Sequence, residues 1–298
     1  MQMKKLSPTD RRMVCVVLFI LVFIGDALVV VGWDVPSYTI SSADVEVFKL
    51  YEALQPGDKV MDWSSVIGQH WQDMSALIIA ATRYMANKRV IHLFIPTTAE
   101  ALYYCGVVSE AVWGLEYWKN PDYGVIFAIT PVYATTITPA RNIRTTWTRD
   151  NFGNTWDSLP MMKNFNGAKD AKMLMASYSL TLVAQMVYEF PTQVKVCLSV
   201  TNSQAFSGAY YTSGAVQGHG LGARSGHAFE ILANFPPQDR IARLIAVPQL
   251  FVALSIFIGA IVCNYIYYVK KVTPQSSMIS RSGTPSSKGK EEKKEGKS

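Results

Sequence analysis

The sequence predicts an α/β fold, a three-layer sandwich with a mostly parallel sheet, flanked by two transmembrane helices. Three observations lead there. Apolar runs of bilayer length lie near each end of the 298-residue chain, over 13–33 and 244–269. Between them, short apolar segments rich in β-branched residues alternate with segments of helical spacing. Charge is uneven: the net +6 resides at the two ends, and the middle is mildly acidic. Hydrophobic residues make up 49% of the chain, high for a wholly soluble protein and low for a polytopic one, which fits one domain plus two spans.

Residues 11–33 read RRMVCVVLFILVFIGDALVVVGW. A helix over 13–33 is roughly 30 Å long at ~1.5 Å per residue, the thickness of a bilayer core. The exit, GWDVPS, lacks the small-residue site of a cleaved signal peptide, so an uncleaved anchor is expected. The run 244–269 has no charge and precedes Lys270 and Lys271. Lys4, Lys5, Arg11 and Arg12 precede the first run. The positive-inside tendency then places residues 1–12 and a disordered basic tail, 270–298, in the cytoplasm and the α/β domain, 34–243, outside it. The expected location is therefore the cell membrane, with two spans and the main domain extracytoplasmic. Asp26 is costly in hydrocarbon and is expected to face the second helix, where Ser255 lies at nearly the same depth, or a foreign subunit. The expected partners are the lipid bilayer and either a membrane protein or a second copy. An acidic middle disfavours nucleic acid. No Asn-x-Ser/Thr sequon occurs in the outer domain, which favours a prokaryotic source.

Taken in order, Ser42 caps a helix over 43–54, with Asp44 and Glu46 in its first turn and Pro56-Gly57 ending it. Strand 59–66, helix 73–87 and strand 89–95 follow. Thr97 to Glu100 forms a capping box that opens a helix to about residue 118. Strand 123–130 is nearly all apolar, as expected when both faces are covered. A short helix is expected over 140–147 behind Pro139, then a long polar and aromatic loop over 148–168. Strand 172–177, helix 180–189, strand 193–200 and a helix over 205–215 complete the alternation, which argues for parallel pairing with helices on both faces.

The densest candidate site is GAYYTSGAVQGHGLGARSGH, residues 208–227, with six glycines, His219, Arg224 and His227. Backbone at Gly218, Gly220 and Gly222 can approach an anion closely, with Arg224 as the charged partner. The dinucleotide pattern does not fit, because its third glycine falls on Ala223 or Ser225. A close-packed loop is the plainer reading. His219 and His227 lack neighbouring acidic or thiol ligands, so no metal is expected. Asp150 marks the long loop as a second ligand-binding candidate, with Asp62 and Thr130 near strand ends where α/β crevices form. Cys105 and Cys197 pair as a disulfide if the compartment is oxidising, and otherwise are two buried thiols. No nucleophile-elbow, phosphate-loop, zinc-protease or calcium-loop pattern occurs, so no cofactor and no catalytic residue is assigned.

Residues 56–60 (PGDKV), 148–162 (TRDNFGNTWDSLPMM) and 213–230 (SGAVQGHGLGARSGHAFE), followed by a terminal apolar run, resemble an uncharacterised group of archaeal and bacterial membrane proteins. The resemblance covers roughly 35–270. It implies an N-terminal span, an α/β domain and a C-terminal span, and no reaction. His219 and His227 stand where that group has small or apolar residues. The expected function is a membrane-anchored accessory or assembly protein of a membrane complex. The alternative is an extracytoplasmic small-ligand-binding or sensing domain that uses the long loop and the glycine stretch.

Overall fold

In the computed structural model the elements run α1 (Pro8–Val30), α2 (Ser42–Glu52), β1 (Lys59–Ser64), α3 (Gly68–Asn87), β2 (Ile91–Pro96), α4 (Ala99–Trp113), β3 (Val125–Phe127), α5 (Ile143–Thr146), β4 (Met173–Ser177), α6 (Leu180–Glu189), β5 (Val194–Ser199), α7 (Gln204–Thr212), β6 (Gly218–Leu221), α8 (Gly222–Leu232) and α9 (Ala242–Val269). The structure describes residues 8–31, 33, 40–66, 68–113, 125–127, 137–146, 148–150, 153–177, 180–200 and 204–269. The segments 1–7 and 270–298, and Thr130, lie outside them.

The sheet is parallel throughout, in the order β3-β2-β1-β4-β5-β6. Five strands have four residues or more, and β3 has three. The chain builds outward from β1 in one direction and then returns to pair β4 with β1. That reversal makes a doubly wound sheet with its switch point between β1 and β4. One face carries a core of Val60, Phe94, Met175 and Leu198 under residues of α2, α3, α4 and α8. The other carries Met61, Leu93, Leu174 and Cys197 under α6 and the segment 137–168. Both faces are covered, which is why the strands read as apolar runs rather than as alternations.

The expected three-layer architecture therefore holds for the α/β region. The residues at 148–168 do more than a solvated loop would: Trp156, Met161, Met162 and Phe165 are buried against the second face. Arg144 fixes this segment by donating to the Phe165 carbonyl (2.9 Å) and the Met162 carbonyl (2.9 Å) while pairing with Asp157. The cap of α2 is Ser41 rather than Ser42. Its hydroxyl receives the Asp44 N–H (3.2 Å), and Asp44 receives the Ser41 N–H (3.0 Å).

The strand over 218–221 was not expected, because two of its four residues are glycine. Packing explains them. A methyl group on Gly218 would meet the Leu50 side chain at 2.8 Å, and one on Gly220 would meet that of Leu77 at 2.8 Å. In α8, a methyl on Gly226 would lie 2.6 Å from the Leu77 backbone nitrogen, so α3 and α8 touch nearly backbone to backbone.

The expected transmembrane helices are corrected. Both apolar runs are helical, but among the described residues no helix is long and apolar enough to cross a membrane. The helix α1 starts within the polar PTDRR segment and ends at Val30, short of Trp33, with Asp26 inside it. Apolar surface is also taken up by helix pairing within the unit formed by residues 1–26 and 250–298. There Gly25 is buried against the Phe251 side chain, and a methyl group on Gly259 would lie 3.7 Å from the Leu18 side chain, so the two helices run antiparallel at close range. Ser255 is buried, and its hydroxyl donates to the Phe251 carbonyl of its own helix (2.7 Å), not across to another. The Asp26 side chain lies outside the described residues.

The disulfide alternative is corrected as well. Cys105 and Cys197 are buried free thiols in the cores on opposite faces of the sheet. Burial pushes the Cys197 thiol up to about 12 and the Cys105 thiol well above its usual value, so both stay protonated.

Candidate functional site

A cleft of about 630 Å³ opens beside the edge strand β6. Its walls are the first turn of α2, the C-terminal half of α7, and the turn from β6 into α8. This volume lies in the usual range for small-molecule sites.

The α2 wall is a closed polar stitch. The Asp44 carboxylate accepts the Ser41 N–H (3.0 Å) and hydroxyl (2.6 Å) through one oxygen and the Ser225 hydroxyl (2.6 Å) through the other. The Ser225 hydroxyl in turn accepts the Leu221 N–H (2.8 Å). Two residues on separate helices, 181 positions apart in sequence, thus share one hydrogen bond at the cleft wall. Both are buried, so the carboxylate is held by fixed donors rather than by solvent.

The opposite wall comes from α7. His219 points from β6 toward it, with Nε2 2.6 Å from the Ser207 hydroxyl. Burial lowers the His219 pKa below its usual value, so the ring is neutral at neutral pH. The Tyr211 ring lies 6.0 Å from the His219 ring, and its hydroxyl donates to Glu46 on α2. That bond, together with burial, pushes the Tyr211 phenol up to about 12. The Tyr211–Glu46 contact spans from α7 to α2. Arg224, exposed on the first turn of α8, brings the one guanidinium in the cleft lining.

Of the residues singled out by sequence, Arg224 lines this cleft. Gly222 serves it indirectly: its φ of +55° makes the sharp turn from β6 into α8 that delivers Arg224 and Ser225. Gly218 and Gly220 face the α2–α3 core instead and are packing glycines. The amide of Ala223, in the first turn of α8, donates to Asp73 of α3 (3.2 Å), so an internal carboxylate already occupies that donor. Asp150 lies elsewhere, buried in its own turn, where it accepts the Asn154 N–H (2.8 Å) and side-chain amide (2.8 Å). It is a structural turn residue. His227 is buried within α8 and does not line the cleft. Among the described residues no group of three or more His, Cys, Asp or Glu could hold a metal ion.

Asp44, Ser207 and Tyr211 were missed as site residues, and His219 was noticed in the glycine-rich stretch but read as a surface or packing residue. Asp44 read only as a helix-cap residue, and nothing local pairs it with residue 225.

A second polar cluster lies at the switch point. Asp62 on β1 accepts the Ser177 hydroxyl from β4 (2.9 Å) and lies 3.3 Å from His92 Nε2 on β2. All three are fully buried. The His92 Nδ1 has no hydrogen-bond partner among the described residues. Nearby, Ser65 and Thr97 share a hydroxyl hydrogen bond of 2.7 Å. Glu100 on α4 accepts the first amide of α3, from Gly68. This cluster ties three adjacent strands together beneath the helices.

No protein-family model, no curated protein and no solved structure matches this chain. No match therefore bears on the resemblance to membrane proteins noted above.

Proposed function

We propose that the α/β domain binds a small polar ligand in the cleft beside β6. The observation that carries this reading is the cleft itself. An exposed arginine, a neutral buried histidine and a saturated carboxylate wall converge on one opening of ligand size. The fold supports the same reading, since it presents these groups from three separate elements, α8, β6 and α2, of a packed scaffold. A domain built only to dock another protein has no need for a concave site with buried polar walls.

The test is a thermal-shift screen of the full chain against a broad metabolite set, run beside Arg224→Gln. The melting temperature of Arg224→Gln without ligand, set beside that of the parent, separates an effect on folding from an effect on binding. The expected result is a raised melting temperature for one chemical class in the parent, reduced in the variant. A screen in which nothing moves the melting temperature counts against the reading, and so does a shift that Arg224→Gln leaves intact.

A further inference from the structure

The hydrogen bonds within the cleft lining decide what it still offers a ligand. The Ser41 and Ser225 hydroxyls both donate to Asp44, each at 2.6 Å. The Thr212 hydroxyl donates to the Gly208 carbonyl of its own helix (2.9 Å), and the Tyr211 hydroxyl donates to Glu46, which stands outside the lining. The hydroxyl protons of the lining are thus all directed into the protein. Their oxygens still have room to accept: a hydroxyl has two acceptor positions, and Ser41 and Ser225 each use one on a main-chain N–H. The formal charges are settled in the same way. Asp44 is held by three internal donors, and Arg224, exposed at the rim, already has an interaction within the chain. His219 differs. It is 5% exposed and lines the cleft, Ser207 takes its Nε2, and among the described residues its Nδ1 has no hydrogen-bond partner. Ala43, Leu221 and the Tyr211 ring supply the apolar part of the lining.

A charged ligand finds no uncommitted counter-charge on these walls, and taking an ion out of water without one is costly. A purely apolar ligand would strip water from the hydroxyl oxygens and the imidazole nitrogen and return no hydrogen bond. What matches is an uncharged ligand that brings its own O–H donors, with C–H surface between them. We infer that the cleft takes an uncharged polyol, the chemical class of free sugars, with one hydroxyl on His219 Nδ1, others on the oxygens of Ser41 and Thr212, and its C–H surface against Tyr211 and Leu221. A hydroxyl suits either tautomer of His219, because it both donates and accepts. Arg224 has five N–H donors, so it can serve a ligand oxygen beside its internal contact. This rests on the ligand-binding reading above and deepens it by naming the class.

The experiment uses the full chain. Calorimetric titration compares the uncharged probes glucose, galactose, ribose and myo-inositol with the charged counterparts glucuronate and glucosamine. Cyclohexanol, one hydroxyl on an apolar ring, is the further comparison. The expected result is binding of at least one uncharged polyol, with the charged counterparts and cyclohexanol weaker by ~10-fold or more, about the effect of one hydrogen bond. His219→Phe keeps a ring and removes the nitrogens, and it is expected to weaken the best probe by ~10-fold as well. The order of affinities is read on the parent, so it decides even where that variant fails to fold. A charged counterpart or cyclohexanol that binds as tightly as the best polyol overturns the inference and leaves the ligand cleft standing. A folded His219→Phe that binds like the parent does the same. Failure of every probe to bind also overturns the inference. The cleft reading then survives only if the broad screen finds another class that Arg224→Gln weakens.

Discussion

The Glu230 carboxylate of α8 accepts the main-chain N–H of Ile241 at 2.6 Å, and its second oxygen accepts that of Ala242 at 3.1 Å. These are the amides at the start of α9, so an acid on one helix caps the next. Glu230 is fully buried, and burial raises its pKa to about 7. The two amides, Arg83 and Arg240 pull the other way without cancelling the effect. Arg83 donates to the Asp239 carbonyl (2.7 Å) and lies over the Phe235 ring, and Arg240 donates to the Phe235 carbonyl (3.0 Å).

Stability therefore depends on pH in a stated direction. An acid whose folded pKa lies above its unfolded value stabilises the fold fully below the unfolded pKa. That contribution is lost as pH rises through the folded value. For Glu230 the window runs from the usual 4.5 up to about 7. The melting temperature of the parent is expected to fall between about pH 5 and pH 8 more steeply than that of Glu230→Gln. Calorimetric scans across this range check it, and parallel profiles for the two proteins would show that Glu230 does not titrate there.

Asp62 gives the second prediction. It takes the Ser177 hydroxyl at 2.9 Å and faces His92 at 3.3 Å, in the middle of the sheet. Asp62→Ala takes the carboxylate away from two buried partners and is expected to cost ~1–3 kcal/mol, as leaving a buried hydrogen-bonding group unsatisfied does. Asp62→Asn keeps an acceptor and should cost less. Urea unfolding of both variants measures the difference. Equal costs would mean that neither the volume nor the acceptor that asparagine keeps contributes, and that the site needs the carboxylate itself.

Gly226 gives the third. A methyl at this position would sit 2.6 Å from the Leu77 nitrogen and 2.9 Å from the Ala76 carbonyl carbon, both main-chain atoms that have little room to move. Gly226→Ala is therefore expected to destabilise by ~1–3 kcal/mol, despite the higher helix propensity of alanine. Gly106 on α4 is the control, since nothing lies within 4 Å of its added methyl. Gly106→Ala should be neutral or stabilising by up to ~1 kcal/mol.

Arg144 gives the fourth. Its guanidinium serves two carbonyls and Asp157, holding the segment that covers the second face of the sheet. Arg144→Met keeps the stem and removes those donors, at an expected cost of about 2 kcal/mol. Asp157→Asn should matter far less, because Asp157 is 88% exposed. Comparable losses from the two variants would place the stabilisation in the ion pair rather than in the carbonyl contacts.

These particulars show what could be read without coordinates. The strands at 59–64, 91–96, 173–177 and 194–199 were legible because burial on both faces leaves short runs of apolar residues bounded by turns. The strand at 218–221 was not, since His219 and two glycines answer to the distance of α2 and α3 rather than to strand propensity. The core role of 156–165 was hidden by its polar neighbours and by the absence of any period. The terminal helices were legible as helices, but their apolar length was overread. Arg224 stood out as a cation among glycines. Asp44, Ser207 and Tyr211 did not, because only sheet order brings α2 beside β6 and α7.

The central claim is that the ligand seat lies between α2, α7 and α8. Hydrogen–deuterium exchange of the full chain, with and without the tightest-binding probe, tests it most directly. The account predicts slowed exchange in peptides covering 41–46, 207–212 and 219–225, with the amides around Asp62 and Ser177 unchanged. Protection confined to the carboxyl ends of β1 and β4, with the α2 and α7 peptides unaffected, would contradict it.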